Sequence, residues 1–162
     1  MKDDPTRHLK QIVSGGQTGV DRAALDAALA VGLRVGGWCP QGRRAEDGVI
    51  DPRYPLTETP LAAYAQRTSW NVRDSDGTLV LLFDAPSPGT RLTIEKATAQ
   101  GKAVHLVDLT APPQHPDVVR WIIDNEIRVL NVAGPRESEA PGIYEAAHAF
   151  LEDVFRQIRM RR

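Results

Sequence analysis

The chain has 162 residues, a net charge of -1 and one cysteine, Cys39. Its length allows one domain with a sizeable core, its near-neutral charge argues against a nucleic-acid-binding protein, and its lone cysteine excludes an intrachain disulfide and fits a reducing cytoplasm. The polar start, Met1–Pro5, does not resemble a signal peptide and no apolar run could span a bilayer, so we expect one cytoplasmic domain over 1–162, with its core at about 10–158 and no membrane contact.

The first predicted strand, near residues 10–14, runs into a glycine-rich turn that opens a predicted helix over 19–31. The turn reads Ser14-Gly15-Gly16-Gln17-Thr18-Gly19. Glycines let the backbone approach a ligand closely, and the first N–H groups of a helix favour an anion. The turn is therefore either a phosphate-binding loop or a plain strand-to-helix connection. It lacks the Gly-Lys-Ser/Thr of a P-loop, and the second strand, at 33–37, lacks the carboxylate of a dinucleotide site.

A long polar segment at 40–55 follows the second strand. Such a segment is either a solvated surface loop or a lid or subunit contact beside a ligand. The next helix is predicted to start at Thr59-Pro60, which has the residue types of a helix N-terminus. Within this helix Arg67 and Asn71 lie four residues apart and share a face, which is either a solvated surface or a polar wall over a site.

Three further strands are predicted, with helices between and after them, at 78–83, 103–107 and 128–133. The alternation of strands and helices predicts an α/β fold in three layers, with a parallel five-stranded sheet in the order 2-1-3-4-5. Ligands of such sheets bind at the carboxyl ends of the strands where the order reverses, here between the first and third strands. The turn after the third strand, Pro88-Gly89-Thr90, starts a helix, so both glycine turns are expected to form one anion site.

Four segments of the chain together resemble a known family. They are residues 14–19, 71–78, 88–90 and 131–138. The family is that of the proteins named "putative molybdenum carrier", which are YpsA-related and belong with the LOG phosphoribohydrolases and the DNA-uptake protein DprA. The resemblance covers about residues 10–155. It implies a Rossmann-like nucleotide-binding fold, a homo-oligomer such as a dimer or tetramer, and a role in carrying molybdenum cofactor.

The LOG enzymes cleave the base–ribose bond of a nucleoside monophosphate with an arginine and a glutamate. Arg67 matches that arginine, whereas Thr93 stands where the glutamate of the Pro-Gly-Gly-x-Gly-Thr-x-x-Glu motif would be. Thr93 has no carboxylate and cannot act as a base or stabilise an oxocarbenium-like charge. A hydrolase would need its acid from Glu46, Asp47 or Asp74 instead, and with Arg67 these are the candidate catalytic residues.

The leading hypothesis is a binding protein for a phosphorylated nucleotide or pterin-type ligand, such as the molybdenum cofactor or a nucleoside monophosphate. The alternative is a LOG-like phosphoribohydrolase, and no metal ligated by the protein itself is expected. The expected ligand contacts come from both glycine turns, the helix face and one later arginine. They are Ser14, Gly15, Gly16, Gln17, Thr18, Gly19, Arg67, Asn71, Pro88, Gly89, Thr90, Thr93 and Arg136.

Overall fold

The computed structural model describes residues 8–160, and the polar start at Met1–Pro5 lies outside this range. Strands and helices follow one another along the described residues. In chain order they are β1 (Gln11–Val13), α1 (Val20–Val31), β2 (Arg34–Gly36), β3 (Trp38–Cys39), β4 (Arg44–Ala45), β5 (Gly48–Val49), β6 (Thr57–Glu58), α2 (Tyr64–Arg73), β7 (Gly77–Leu82), α3 (Pro88–Ala99), β8 (Ala103–Asp108), α4 (His115–Asp124), β9 (Val129–Ala133) and α5 (Ile143–Met160).

Five of these strands form a parallel sheet in the order β2-β1-β9-β7-β8. The α/β class and the Rossmann-like sandwich are confirmed, but the strand order 2-1-3-4-5 is wrong. The last strand of the sheet, β9, lies between β1 and β7 instead of at the edge. Long-range polar contacts hold it there. The Asp76 carboxylate accepts the N–H groups of Arg128 and Val129 at 3.0 and 2.9 Å, and Asn131 Nδ2 donates to Thr78 Oγ1 at 3.3 Å.

Helices cover both faces of this sheet. All six residues of β7 are buried, as expected for a strand covered on two sides. Leu79 and Leu81 join the main core with α1, α4 and α5, whereas Val80 and Leu82 alternate to the opposite face. On that face α2 and α3 pack against each other. Among the described helices, none combines the length and the apolar character needed to cross a membrane.

The second helix begins later than the Thr59-Pro60 pattern predicts. α2 starts at Tyr64, and Thr59 is buried. The N–H of Thr59 donates to the carbonyl oxygen of Cys39 at 2.8 Å, and its hydroxyl donates to that of Leu61 at 2.8 Å. Thr59 therefore ties β6 to β3 instead of capping a helix, a use of its hydroxyl that depends on a strand distant in sequence.

The polar segment after the second strand is a folded ribbon, which we call the ribbon (residues 38–59). β3 pairs with β6 and β4 pairs with β5. Arg43 holds the ribbon together, because its guanidinium donates to four backbone carbonyl oxygens, those of Ile50, Asp51, Tyr54 and Leu56. A small core lies beneath it, made of Leu25, Cys39, Ile50, Tyr54 and Leu56. These contacts favour a fixed wall over a mobile lid.

Candidate functional site

A cleft of about 110 Å³ opens at the carboxyl ends of β1, β9 and β7. Because β9 lies between the other two strands, the loops after three strands meet here, where the sequence predicted two. One face of α2 and the first turns of α3 complete the walls. The position agrees with the general rule that ligands of parallel α/β sheets bind at this edge.

The structure brings both glycine turns and the polar face of α2 to this one cleft. The predicted contact residues that line it are Gly15, Gln17, Arg67, Asn71, Gly89, Thr90, Thr93 and Arg136. Others lie outside its lining, namely Ser14, Gly16, Thr18, Gly19 and Pro88, as do the candidate acids Glu46, Asp47 and Asp74. Asp21, Tyr64 and Glu139 also line the cleft, and the sequence patterns had not singled them out as site residues.

The guanidinium of Arg67 lies directly over Gly15 at one end of the cleft. A Cβ atom at Gly15 would stand 1.5 Å from Arg67 Nη1, so this arrangement requires glycine. The same Nη1 donates to Asp21 Oδ2 at 2.9 Å. Arg67 Nε is buried and has no hydrogen-bond partner among the described residues. One donor of a largely buried guanidinium is thus unused, which is uncommon in folded proteins.

Asp21 lies in the first turn of α1 and is buried. Its Oδ2 also accepts the N–H of Gln17 at 3.3 Å. Burial raises the pKa of Asp21 above its ordinary value, although Arg67 and the Gln17 N–H pull it down. The signal that points to Asp21 is an acidic residue in the first turn of the helix that follows the glycine turn, where the helix dipole favours negative charge.

Three N–H groups of the first glycine turn, and that of Val20 directly after it, already have acceptors inside the protein. The pairs are Gly16 N with Ser14 Oγ at 3.4 Å, Gln17 N with Asp21 Oδ2 at 3.3 Å, Thr18 N with Gln17 Oε1 at 3.0 Å, and Val20 N with the carbonyl oxygen of Pro135 at 3.3 Å. One of these donors, the Gln17 N–H, thus bonds to the Asp21 carboxylate of the chain itself. The turn contributes Gly15 and Gln17 to the cleft lining, while Asp21 comes from α1 and Arg67 from α2.

Gly16 and Gly19 lie against other parts of the chain. Both have φ of 76°, a conformation that favours glycine. A Cβ at Gly16 would stand 2.6 Å from Leu56 Cδ1 and 3.0 Å from Ile50 Cδ1, in the ribbon. A Cβ at Gly19 would stand 2.4 Å from the carbonyl oxygen of Pro135. These glycines let the turn lie against the ribbon and the loop after β9.

The opposite wall is the N-terminus of α3. Ser87 caps this helix by accepting the N–H of Thr90 at 3.3 Å. Thr93 is buried, and its hydroxyl donates to the carbonyl oxygen of Gly89 at 3.3 Å. A Cβ at Gly89 would meet nothing within 4 Å, so a ligand can approach the helix N-terminus from this side.

The loop after β9 brings a second arginine to the cleft. Arg136 Nε pairs with Glu139 Oε1 at 3.0 Å. On the α2 wall, the centroid of the Tyr64 ring lies 5.3 Å from the guanidinium carbon of Arg67, and Tyr64 is 42% exposed. The cleft thus combines two arginines, two carboxylates and an accessible aromatic ring. In residues 8–160 no group of three His, Cys, Asp or Glu side chains is placed to hold a metal ion.

Glu46 fastens the ribbon to the loops beside the cleft. Its carboxylate accepts the Thr18 hydroxyl, the Ser138 N–H at 3.1 Å and the Ser138 hydroxyl at 2.5 Å. We call this contact the Glu46 clasp. Burial opposes ionisation here, but the hydrogen bonds from Ser138 and Thr18 prevail and hold the pKa of Glu46 below its ordinary value. The carboxylate is therefore engaged in holding the ribbon.

Asp74 and Asn71 both hold Trp38. Asp74 accepts Trp38 Nε1 at 2.8 Å and pairs with Arg73 at 2.8 Å. The hydrogen bond from Arg73 lowers the pKa of Asp74. Asn71 accepts the N–H of Trp38 at 2.7 Å and donates to its carbonyl oxygen at 2.9 Å. Although Asn71 lines the cleft, its amide is used to fix the start of the ribbon.

The chain is similar in sequence to one protein family, and in sequence and fold to one solved structure. The model of the circularly permutated YpsA SLOG family matches residues 12–155. A crystal structure of a "putative molybdenum carrier protein" from Syntrophus aciditrophicus SB shares 41% sequence identity and superposes with a TM-score of 0.85. The match covers 91% of this chain and 95% of that one. No curated protein matches the chain.

Proposed function

The chain belongs to the circularly permutated YpsA SLOG family, and we propose that its cleft binds a small phosphorylated ligand of the nucleotide or pterin class. A protein with 41% sequence identity carries the name putative molybdenum carrier. That name makes the molybdenum cofactor one candidate ligand, beside a nucleoside monophosphate. The family resemblance also predicts a homo-oligomer, which native mass spectrometry of the purified protein tests.

The observation that carries the proposal is the Arg67 guanidinium at the end of the cleft. It lies over Gly15, is largely buried, and has an unused donor at Nε. Guanidinium groups hold phosphate through charge-assisted, geometrically matched hydrogen bonds. Arg136 and the N–H of Gly89, at the N-terminus of α3, add donors from the other walls. Tyr64 offers a ring against which a planar base or pterin can stack.

The contacts of the carboxylates favour holding the ligand over cleaving it. Glu46 and Asp74 are engaged in the Glu46 clasp and with Trp38, away from the cleft lining. Asp47 pairs with Arg22 at 2.9 Å. Thr93, in the place of the LOG glutamate, has no carboxylate. The hydrolytic alternative therefore gains no support from the residues that were its candidate acids.

Calorimetric titration with AMP and with molybdopterin, together with an assay for base release from AMP, tests the proposal. We expect at least one of these ligands to bind and to raise the melting temperature, because a ligand that binds only the folded state stabilises it. Arg67→Ala should weaken binding by about tenfold or more, as expected for the loss of a charged hydrogen bond. Arg120→Ala, on the exposed surface of α4, is the matched control.

Two results would contradict the proposal. Base release that disappears in Arg67→Ala would make the cleft a hydrolytic site. Unchanged affinity in Arg67→Ala would move the ligand away from this cleft. Molybdate alone is a weaker probe of carrier function, because a tetrahedral oxyanion can occupy any site built for phosphate.

A further inference from the structure

Each arginine of the cleft already has a carboxylate partner in the same chain. Arg67 pairs with Asp21 at 2.9 Å, and Arg136 pairs with Glu139 at 3.0 Å. The two positive charges are balanced, so an incoming oxyanion meets no unpaired arginine in the cleft lining. A negatively charged ligand must therefore exchange places with these carboxylates.

The two pairs differ in burial, and burial decides what the exchange costs. Arg136 and Glu139 expose 40% and 33% of their side chains, so their pair contributes little stability and opens easily in water. The side chains of Arg67 and Asp21 are only 14% and 8% exposed. A carboxylate that loses its arginine at this depth becomes an unpaired buried charge, which is unfavourable unless it is neutralised.

We propose that a ligand oxyanion takes the place of Asp21 on Arg67 and that the released Asp21 carboxylate takes up one proton from solvent. This inference rests on the proposed function, because it concerns the same cleft. The proton adds to a carboxylate oxygen and no covalent bond changes. A doubly charged oxyanion then replaces one carboxylate charge at Arg67. Asp21 thereby determines how strongly the cleft binds an oxyanion at a given pH.

The groups around Asp21 agree with this exchange. Arg67 reaches it from α2, while Arg22, on the same helix as Asp21, is held by Asp47 at 2.9 Å. The loop after β9 contributes the charges of Arg136 and Glu139. The Gln17 N–H is the remaining donor to the Asp21 carboxylate. Burial already raises the pKa of Asp21 with Arg67 in place, so loss of that contact raises it further.

Calorimetric titration with sulfate tests the exchange, since sulfate keeps its two charges across the neutral pH range. Titrations in two buffers of different ionisation enthalpy give the number of protons taken up on binding. We expect net proton uptake, and an affinity for sulfate that falls by about tenfold per pH unit where one full proton is taken up. Sulfate binding with no proton uptake and no pH dependence would refute this inference alone. A cleft that binds neither sulfate nor inorganic phosphate would refute the proposed function as well.

Asp21→Asn keeps the shape of the side chain and removes its titration. We expect this variant to bind sulfate at least about tenfold more tightly than the wild type at the alkaline end of the range, with no dependence on pH. Asp47→Asn removes a carboxylate paired with an arginine outside the cleft and should keep the wild-type dependence. A pH dependence that survives in Asp21→Asn would overturn the assignment. If that variant does not fold, the proton uptake of the wild-type protein decides alone.

Discussion

Gly15→Ala is expected to push Arg67 out of its place in the cleft. Gly15 lies outside the positive-φ region, so alanine fits its backbone without strain. The added methyl would stand 1.5 Å from Arg67 Nη1 and 2.6 Å from Cζ. These atoms belong to the end of a flexible side chain, so the guanidinium moves and the fold remains. The substitution therefore removes the Arg67–Asp21 contact while keeping both residues.

The expected loss of stability follows from that contact. Hydrogen bonds to charged groups contribute about 1.5–3 kcal/mol, and deleting one partner of a buried ion pair costs about 3–5 kcal/mol. In Gly15→Ala, Arg67 can turn to solvent and Asp21 keeps the hydrogen bond from the Gln17 N–H. We therefore expect the free energy of unfolding to fall by about 2 kcal/mol. At about 2–4 °C per kcal/mol for a chain of this size, the melting temperature should fall by about 4–8 °C. Because the guanidinium no longer stands in the cleft, binding of an oxyanion should also weaken by about tenfold or more, as for the loss of a charged hydrogen bond.

Thermal unfolding and calorimetric titration with inorganic phosphate measure both effects. Gly89→Ala is the control for stability, because its methyl would meet nothing within 4 Å. Its free energy of unfolding should lie within about 0.5 kcal/mol of that of the wild type. If Gly15→Ala matches the wild type in melting temperature and in phosphate affinity, the position of Arg67 over Gly15 does not control the cleft, and the reasoning fails.

Three further substitutions test the surroundings of the cleft. Asn71→Ala should lower the free energy of unfolding by about 2–3 kcal/mol in denaturant titration, because it leaves the backbone N–H and carbonyl of Trp38 without their partner. Gly16→Val should lower the free energy of unfolding by about 2–6 kcal/mol, through overlap with Leu56 and through the strain of a β-branched residue at a φ of 76°, while calorimetry on the folded fraction shows unchanged phosphate affinity. Glu46→Gln should cost about 1 kcal/mol at neutral pH. The pKa of Glu46 is lowered in the folded state, so this difference should shrink as pH falls below its ordinary value of 4.5 and should vanish only below the lowered pKa of the folded state.

Each of these predictions has a result that contradicts it. Wild-type stability in Asn71→Ala would mean that water replaces the amide at Trp38. Loss of phosphate affinity in folded Gly16→Val would return Gly16 to the ligand-binding surface. If the free energy of unfolding of Glu46→Gln stays below that of the wild type in acid, the Glu46 clasp depends on the shape of the side chain and not on its charge.

Local patterns in the sequence predict the elements and much of the cleft wall. The apolar run that becomes β7 and the glycine that ends α1 are signals within a few residues of the element concerned. Gly15, Arg67 and Gly89 could be placed at one site because parallel strands end at the same edge of the sheet. The family is likewise visible in the sequence, since its model matches residues 12–155.

The strand order and the partners of the polar side chains depend on residues distant in the chain. Several parallel orders bury the same apolar faces, and the choice of β9 for the centre rests on contacts such as Asp76 to Val129, which lie 53 positions apart. That choice places a third loop, with Arg136 and Glu139, in the cleft. It is also tertiary packing that turns Gly16 toward the ribbon and gives Arg67 the carboxylate of Asp21. The sequence by itself determined that a glycine turn opens α1 at the edge of a parallel sheet, whereas only the tertiary structure decided that the carboxylate after this turn is paired with an arginine, because that arginine comes from another helix.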